Sequence, residues 1–245
     1  MATITDDDGD HILIGTDTLD FLEALIGDYK FDGGAGSDTL FFSEPLSIRI
    51  DLNQTGPQYV GFGTYEISSI ENIFTDAGND YLKGNSAANA LYAGAGNDTV
   101  YGGGGSDVIL GEAGKDRLYG DAGNDILSGG AGNDTLTGGR GKDLFLFSGA
   151  RASKTNVDKI TDFSVRDDAM LLDRAFFTKL GKKGVLPEEA FYTGTAAHDA
   201  SDRVIYNPDT GALYYDRDGT GGAAAVLFAR IKPGLALTHK DFFTV

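Results

Sequence analysis

Across residues 75–146 the apolar positions recur every nine residues, a period that fits neither an amphipathic helix nor a simple alternating strand. Cut at that period, the chain reads TDAGNDYLK, GNSAANALY, AGAGNDTVY, GGGGSDVIL, GEAGKDRLY, GDAGNDILS, GGAGNDTLT and GGRGKDLFL, with no insertions. Position eight is always apolar: Leu82, Leu91, Val100, Ile109, Leu118, Leu127, Leu136 and Phe145. Position six is Asp except at Asn89, and position four is Gly except at Ala87. The frame also reaches backward. EISSIENIF (66–74) places Glu71 and Ile73 at positions six and eight, and GGAGSDTLF (33–41) is a clean copy. Three worn units before it keep Leu13, Leu22 and Phe31 at position eight, with His11, Asp20 and Tyr29 at position six.

Each unit predicts a turn followed by a very short strand. Glycines at positions one, two and four permit a tight turn with exposed carbonyl oxygens. The three residues after the Asp form the strand, and the middle side chain points inward. Two units then make one coil, and stacked coils bury a ladder of position-eight side chains between two parallel sheets. Residues eighteen apart lie above one another, so Asp80, Asp98, Asp116 and Asp134 line one edge. Glu71, Asn89, Asp107, Asp125 and Asp143 line the other.

Carboxylates one strand spacing apart, about 4.8 Å, repel unless a cation intervenes. Carboxylates with several carbonyls offer only hard oxygen donors, which suit calcium with its six to eight flexible ligands better than magnesium. Asp20 and Asp38, also eighteen apart, are a weaker candidate pair because Thr18 replaces a glycine. An acidic ladder of Asx-turns holding no metal would leave the charges uncompensated.

Composition narrows the choice. The 245 residues hold 37 acids against 20 Lys and Arg, a net charge of −17, which argues against nucleic-acid binding. Of the acids 30 are Asp, and 36 residues are Gly, so turns dominate. Cysteine is absent, which removes disulfides, thiolate metal sites and a cysteine nucleophile. No apolar run is long enough for a spanning helix, and the first residues show no cleavable signal pattern. The acidity lies in the first two-thirds; residues 147–245 carry thirteen charges of each sign. The expected organisation is 1–42 as degenerate amino-terminal repeats, 43–74 as an irregular connecting coil, 75–146 as the main roll, and 147–245 as a capping and secretion-signal region.

The nonapeptides resemble the GGxGxDxUx unit of the repeats-in-toxin (RTX) calcium-binding family. The resemblance implies an all-β fold: a right-handed parallel β-roll with a carboxy-terminal β-rich cap, holding calcium between consecutive turns by the position-six acids and by glycine-turn carbonyls. It implies carbonyl ligands at Gly78; at Ala93, Gly94, Ala95 and Gly96; at Gly102, Gly103, Gly104 and Gly105; at Gly111, Ala113 and Gly114; at Gly120, Ala122 and Gly123; and at Gly129, Gly130, Ala131 and Gly132. The stretch SIENIFTDAGNDYLKGNSAANALYAGAGNDTVYGG is also similar to the roll entry of serralysin-type secreted proteases. There the residues matching Glu71 and Asn89 are ligands, with carbonyls matching Ser69, Asn85 and Ala87. DKITDF (158–163) is similar to the segment that closes the roll, with Asp158 a further ligand. Up to seven sites are expected in the gaps of the two edges, weakest beside Asn89.

The terminus, Asp241-Phe242-Phe243-Thr244-Val245, is similar to that of type I secretion substrates, and its deletion is expected to spare folding. No HExxH or GxSxG occurs, so protease and lipase chemistry do not carry over. The expectation is a secreted, non-catalytic calcium-binding protein meeting the type I machinery and an extracellular polysaccharide or host surface. The alternative is an extracellular enzyme, or the export module of one, with activity in 147–245, where Asp167 and Asp168 offer a carboxylate pair. Asp216 and Asp218 in DRDGTGG resemble a calcium loop but lack the distant Glu of an EF-hand, so a hairpin turn is the favoured expectation, and Thr238 and Asp241 are expected in a capping box. Tyr92, Tyr101 and Tyr119, at position nine, are expected to face away from the core. His198 and His239 are expected to have no second ligand nearby.

Overall fold

The structure, a computed structural model, describes residues 2–4, 12–16, 18–24, 27–148 and 155–245. His11 lies outside them. The regular elements among the described residues are short strands, two to six residues long, and two single-turn 3-10 helices, Glu188–Ala190 and His239–Asp241. Among the described residues no helix is long and apolar enough to cross a membrane.

The nine-residue period becomes two parallel sheets facing each other. In the first sheet Leu22, Leu40, Ile73, Leu91, Ile109, Leu127 and Phe145 stack in register, and Met170 and Phe242 continue the column. In the second, Ile50, Leu82, Val100, Leu118, Leu136 and Ile160 do the same. All of these side chains are fully enclosed, at most 1% exposed. Burying each aliphatic side chain contributes about 1.5–3 kcal/mol, which holds a chain together whose strands are too short to be stable singly. The parallel β-roll that the period predicts is therefore the fold.

Residues 43–74, expected as an irregular coil, carry four strands. Arg49–Asp51 is the first rung of the second sheet and Asn72–Phe74 a rung of the first. Between them Gln58–Tyr59 and Thr64–Ser68 form an antiparallel pair that joins Ile12–Ile14 and Tyr29–Asp32 in a separate sheet. That excursion stretches the eighteen-residue register without breaking the stack: Leu40 pairs directly with Ile73. Its core is aromatic, with the rings of Phe31, Phe42 and Phe62 all against that of Tyr65.

Residues 155–245 close the far end. The second sheet passes through Asp158–Ile160 into an antiparallel meander of Val226–Arg230, Ala212–Tyr215 and Val204–Asn207. The chain terminus is part of this cap. Phe242–Thr244 is a parallel strand of the first sheet, Phe242 and Thr244 are buried, and the Thr244 hydroxyl donates to the Lys182 carbonyl at 2.5 Å. Deleting 241–245 would thus remove core, contrary to the expectation that the tail is separable. The capping box is present, with Thr238 and Asp241 bonded reciprocally around the last helical turn.

Candidate metal centre: two ladders of aspartates

Each turn of the roll is built around its position-six side chain. Asp Oδ1 accepts the backbone N–H of the position-six residue one coil below. On one edge Asp98 accepts from Asp80 at 2.7 Å, Asp116 from Asp98 at 2.9 Å, Asp134 from Asp116 at 2.8 Å and Asp158 from Asp134 at 3.1 Å. Asp80 accepts from Ile48. On the other edge Asp107 accepts from Asn89, Asp125 from Asp107 and Asp143 from Asp125, at 2.8–3.0 Å. Lower down, Asp38 accepts from Asp20, and a Glu71 carboxylate oxygen from Asp38 at 2.9 Å.

The second carboxylate oxygen is the informative one. In Asp38, Asp80, Asp98, Asp107, Asp116, Asp125, Asp134 and Asp143 the Oδ2 atom is buried and has no hydrogen-bond partner. None of these residues is more than 3% exposed. A buried, unpaired carboxylate oxygen costs several kcal/mol as an anion, and eight of them in two columns call for cations or protons. Burial pushes the Asp98 and Asp116 carboxyls up to about 7 and those of Asp107, Asp125 and Asp143 up to about 6, with neighbouring carboxylates adding to the rise. Burial also raises Asp134 and Asp158 at the end of their edge, where Asp158 accepts the Asp134 N–H.

The glycines at position one show where these oxygens point. A Cβ at Gly102 would lie 2.4 Å from Asp107 Oδ2 and 2.7 Å from the Gly120 carbonyl of the next coil. At Gly120 the same two neighbours are Asp125 Oδ2 and the Gly138 carbonyl, each at 2.5 Å. Carboxylate and carbonyl thus converge between coils, a donor set of hard oxygens that fits calcium. Position two supplies the tight turn: Gly94, Gly103, Gly130 and Gly139 have positive φ, and so do Glu112 and Asp121, at 71° and 68°.

The carbonyls expected as ligands lie in these turns, and several already take part in turn-to-turn bonds. Those of Asn85, Gly94 and Ala95 accept from Gly104, Ala113 and Gly78, and that of Ala93 accepts from the Thr75 hydroxyl. The Ser69 carbonyl faces the Asp38 turn, 2.0 Å from where a Cβ on Gly33 would sit. Asn89 differs from its neighbours: its Oδ1 accepts the Asn85 N–H and its Nδ2 donates to the Glu71 carbonyl, both at 2.8 Å. Asp20 is likewise bonded inside its own turn, by the Thr16 N–H and hydroxyl.

Two acids at the end of the roll, one of them a ladder member, escape the sequence pattern. Asp168 accepts the Asp143 N–H at 3.0 Å and ends the second edge, and Asp162 accepts from Gly138 and Gly139. A spacing of 25 residues from Asp143 hides Asp168 from an eighteen-residue search. Asp168 is thereby placed in the ladder rather than free as half of a carboxylate pair; Asp167 is paired with Arg166 at 3.0 Å. Asp216 and Asp218 sit in the turn between Ala212–Tyr215 and Val226–Arg230, where Asp216 accepts from Asp218 and Gly219. His198 does have acids beside it, Asp199 and Asp202. Asp202, though, accepts the His198 and Asp199 N–H groups and so closes its own loop. Tyr101 and Tyr119 stack face to face at 4.6 Å on the outer face of the second sheet, and Tyr92 stacks on Phe74 on the first.

The model of the RTX calcium-binding nonapeptide repeat, four copies long, matches twice in succession, over residues 74–109 and 110–145. No curated protein matches the chain. Among solved structures, the R3 subunit of AlgE6, a mannuronan C5-epimerase from Azotobacter vinelandii, is 27% identical over 66% of this chain and 77% of its own, with a TM-score of 0.31. The nonapeptide register, the parallel roll and the two aspartate ladders meet in one conclusion: residues 74–145 are RTX calcium-binding nonapeptide repeats.

Proposed function

We propose that the chain is exported unfolded by a type I secretion machinery and folds outside the cell as calcium enters the aspartate ladders. The observation carrying this reading is the set of eight buried carboxylate oxygens without partners. The position-six acids, Glu71 and the turn carbonyls are the proposed ligands, with Asp158 at the end of the first edge. Bound calcium would supply the positive charge that the stack lacks. At about 1 mM calcium and a dissociation constant of about 10⁻⁴ M, each site stabilises the fold by about 1.4 kcal/mol. Several such sites together rival the stability of an ordinary domain. At cytosolic calcium levels that contribution vanishes and the repulsion of the acids remains.

The buried terminus supports the same order of events. Phe242 and Thr244 are accessible as a signal only before the cap closes, so a terminus read by the exporter has to be read on the unfolded chain. In this reading the protein has a non-catalytic binding or structural role outside the cell.

Circular dichroism with calcium added and then chelated tests the coupling. β-structure is expected to appear cooperatively with calcium and to be absent with equimolar magnesium. Equal spectra with either ion, or with neither, would reject it.

A further inference from the structure

Eleven ladder positions, Asp20, Asp38, Asp80, Asn89, Asp98, Asp107, Asp116, Asp125, Asp134, Asp143 and Asp168, divide by what one side-chain oxygen does, Oδ2 of each Asp and Oδ1 of Asn89. In eight it is unpaired and buried. In three it is taken by the backbone N–H four residues earlier. The Thr16 N–H reaches Asp20 Oδ2 at 2.5 Å, the Asn85 N–H reaches Asn89 Oδ1 at 2.8 Å, and the Ser164 N–H reaches Asp168 Oδ2 at 2.8 Å. These three turns close on themselves.

The backbone at position two separates the classes. Seven of the eight open turns have a positive φ there: Gly34, Gly94, Gly103, Glu112, Asp121, Gly130 and Gly139, between 68° and 100°. Thr16, Asn85 and Ser164 do not have positive φ. The eighth open turn, that of Asp80, has Asp76 at position two without positive φ, and its Oδ2 is free all the same. Glu112 and Asp121 are the telling cases. A non-glycine residue in the left-handed region costs about 1 kcal/mol, and the roll accepts that cost twice at turns whose carboxylates stay open.

The geometry points to a division of the ladders into open rungs that take calcium and closed rungs, at Thr16–Asp20, Asn85–Asn89 and Ser164–Asp168, that contribute no side-chain ligand. This inference rests on the calcium reading above and sets against it the side-chain ligand role that the serralysin resemblance gives Asn89. A closed rung already satisfies its oxygen with a neutral donor, so it holds the stack without metal. The Oδ2 atoms of open rungs face the coil above, as the Gly120 carbonyl beside Asp107 shows. The gap above Asn89 is therefore empty of a side-chain ligand from below, while the gaps above Asp134 and Asp143 join the metal-binding set.

Native mass spectrometry in calcium on the full chain tests this with two variants that add consensus residues and remove no core. Asn89→Asp alone is expected to bind the same number of ions as the unaltered protein, because the Asn85 N–H still caps the new carboxylate. Asn85→Gly/Ala87→Gly/Asn89→Asp, which restores the open-turn sequence, is expected to bind one ion more. An extra ion in the single variant, or none gained in the triple, overturns the division. An unaltered protein that binds no calcium would instead overturn the calcium reading itself.

Discussion

Gly111 illustrates how much of the roll is decided by single atoms. Its φ is not positive, so space rather than backbone preference requires glycine: a Cβ would lie 2.4 Å from Asp116 Oδ2 and 3.0 Å from the Gly129 carbonyl. Gly111→Ala is expected to displace that carboxylate and raise the calcium midpoint of folding by about tenfold, equivalent to about 1.4 kcal/mol. Gly222→Ala, where a Cβ meets nothing within 4 Å, is the matched control and should leave the midpoint in place. Equal shifts in the two would detach the position-one glycines from the metal. The repeat identified such residues through position alone. It could not reveal that Asn89 is held by the Asn85 N–H, because that bond depends on a backbone angle that the side-chain pattern does not encode.

An edge of the roll is a column of coupled acids, and its pH response has a definite sign. The Asp98 and Asp116 carboxyls, raised by burial to about 7, and those of Asp107, Asp125 and Asp143, raised to about 6, bind protons in the folded state that the unfolded chain releases near 4. Their contribution to metal-free stability is thus fully present below about pH 4 and is lost as pH rises through about 6 to 7. Chelated protein, unfolded at about pH 8, should gain β-structure as the pH is lowered to about 5. With calcium the order reverses, because protons compete for the same oxygens, and the calcium midpoint should rise on acidification. Metal-free stability that increases from pH 5 to pH 8 would show that these carboxylates are not buried as described. The strands between the edges were the most legible elements, since position eight names every inward side chain from Leu82 to Phe145. The ends were not: Asp168 falls 25 residues after Asp143, outside the period, and only pairing shows it to be a rung.

At the scale of the molecule the sequence period carries the architecture, and the interruptions carry what it leaves unsaid. Residues 43–74 hold no clean repeat, yet Ile50 and Ile73 sit in the two core columns because the stack needs only one inward side chain per rung. The terminal strand was hidden for a different reason. Five residues are too few for a pattern, and Phe242 is recognised as core only when it lies beside Met170. All of these pieces depend on compensation of the acids that the roll brings together. The most direct test is calcium anomalous scattering from crystals grown with calcium. Peaks are expected between successive coils along both edges, within coordination distance of the Oδ2 atoms of Asp98, Asp107, Asp116 and Asp125. A well-ordered roll with no peak at any of these oxygens would contradict the account.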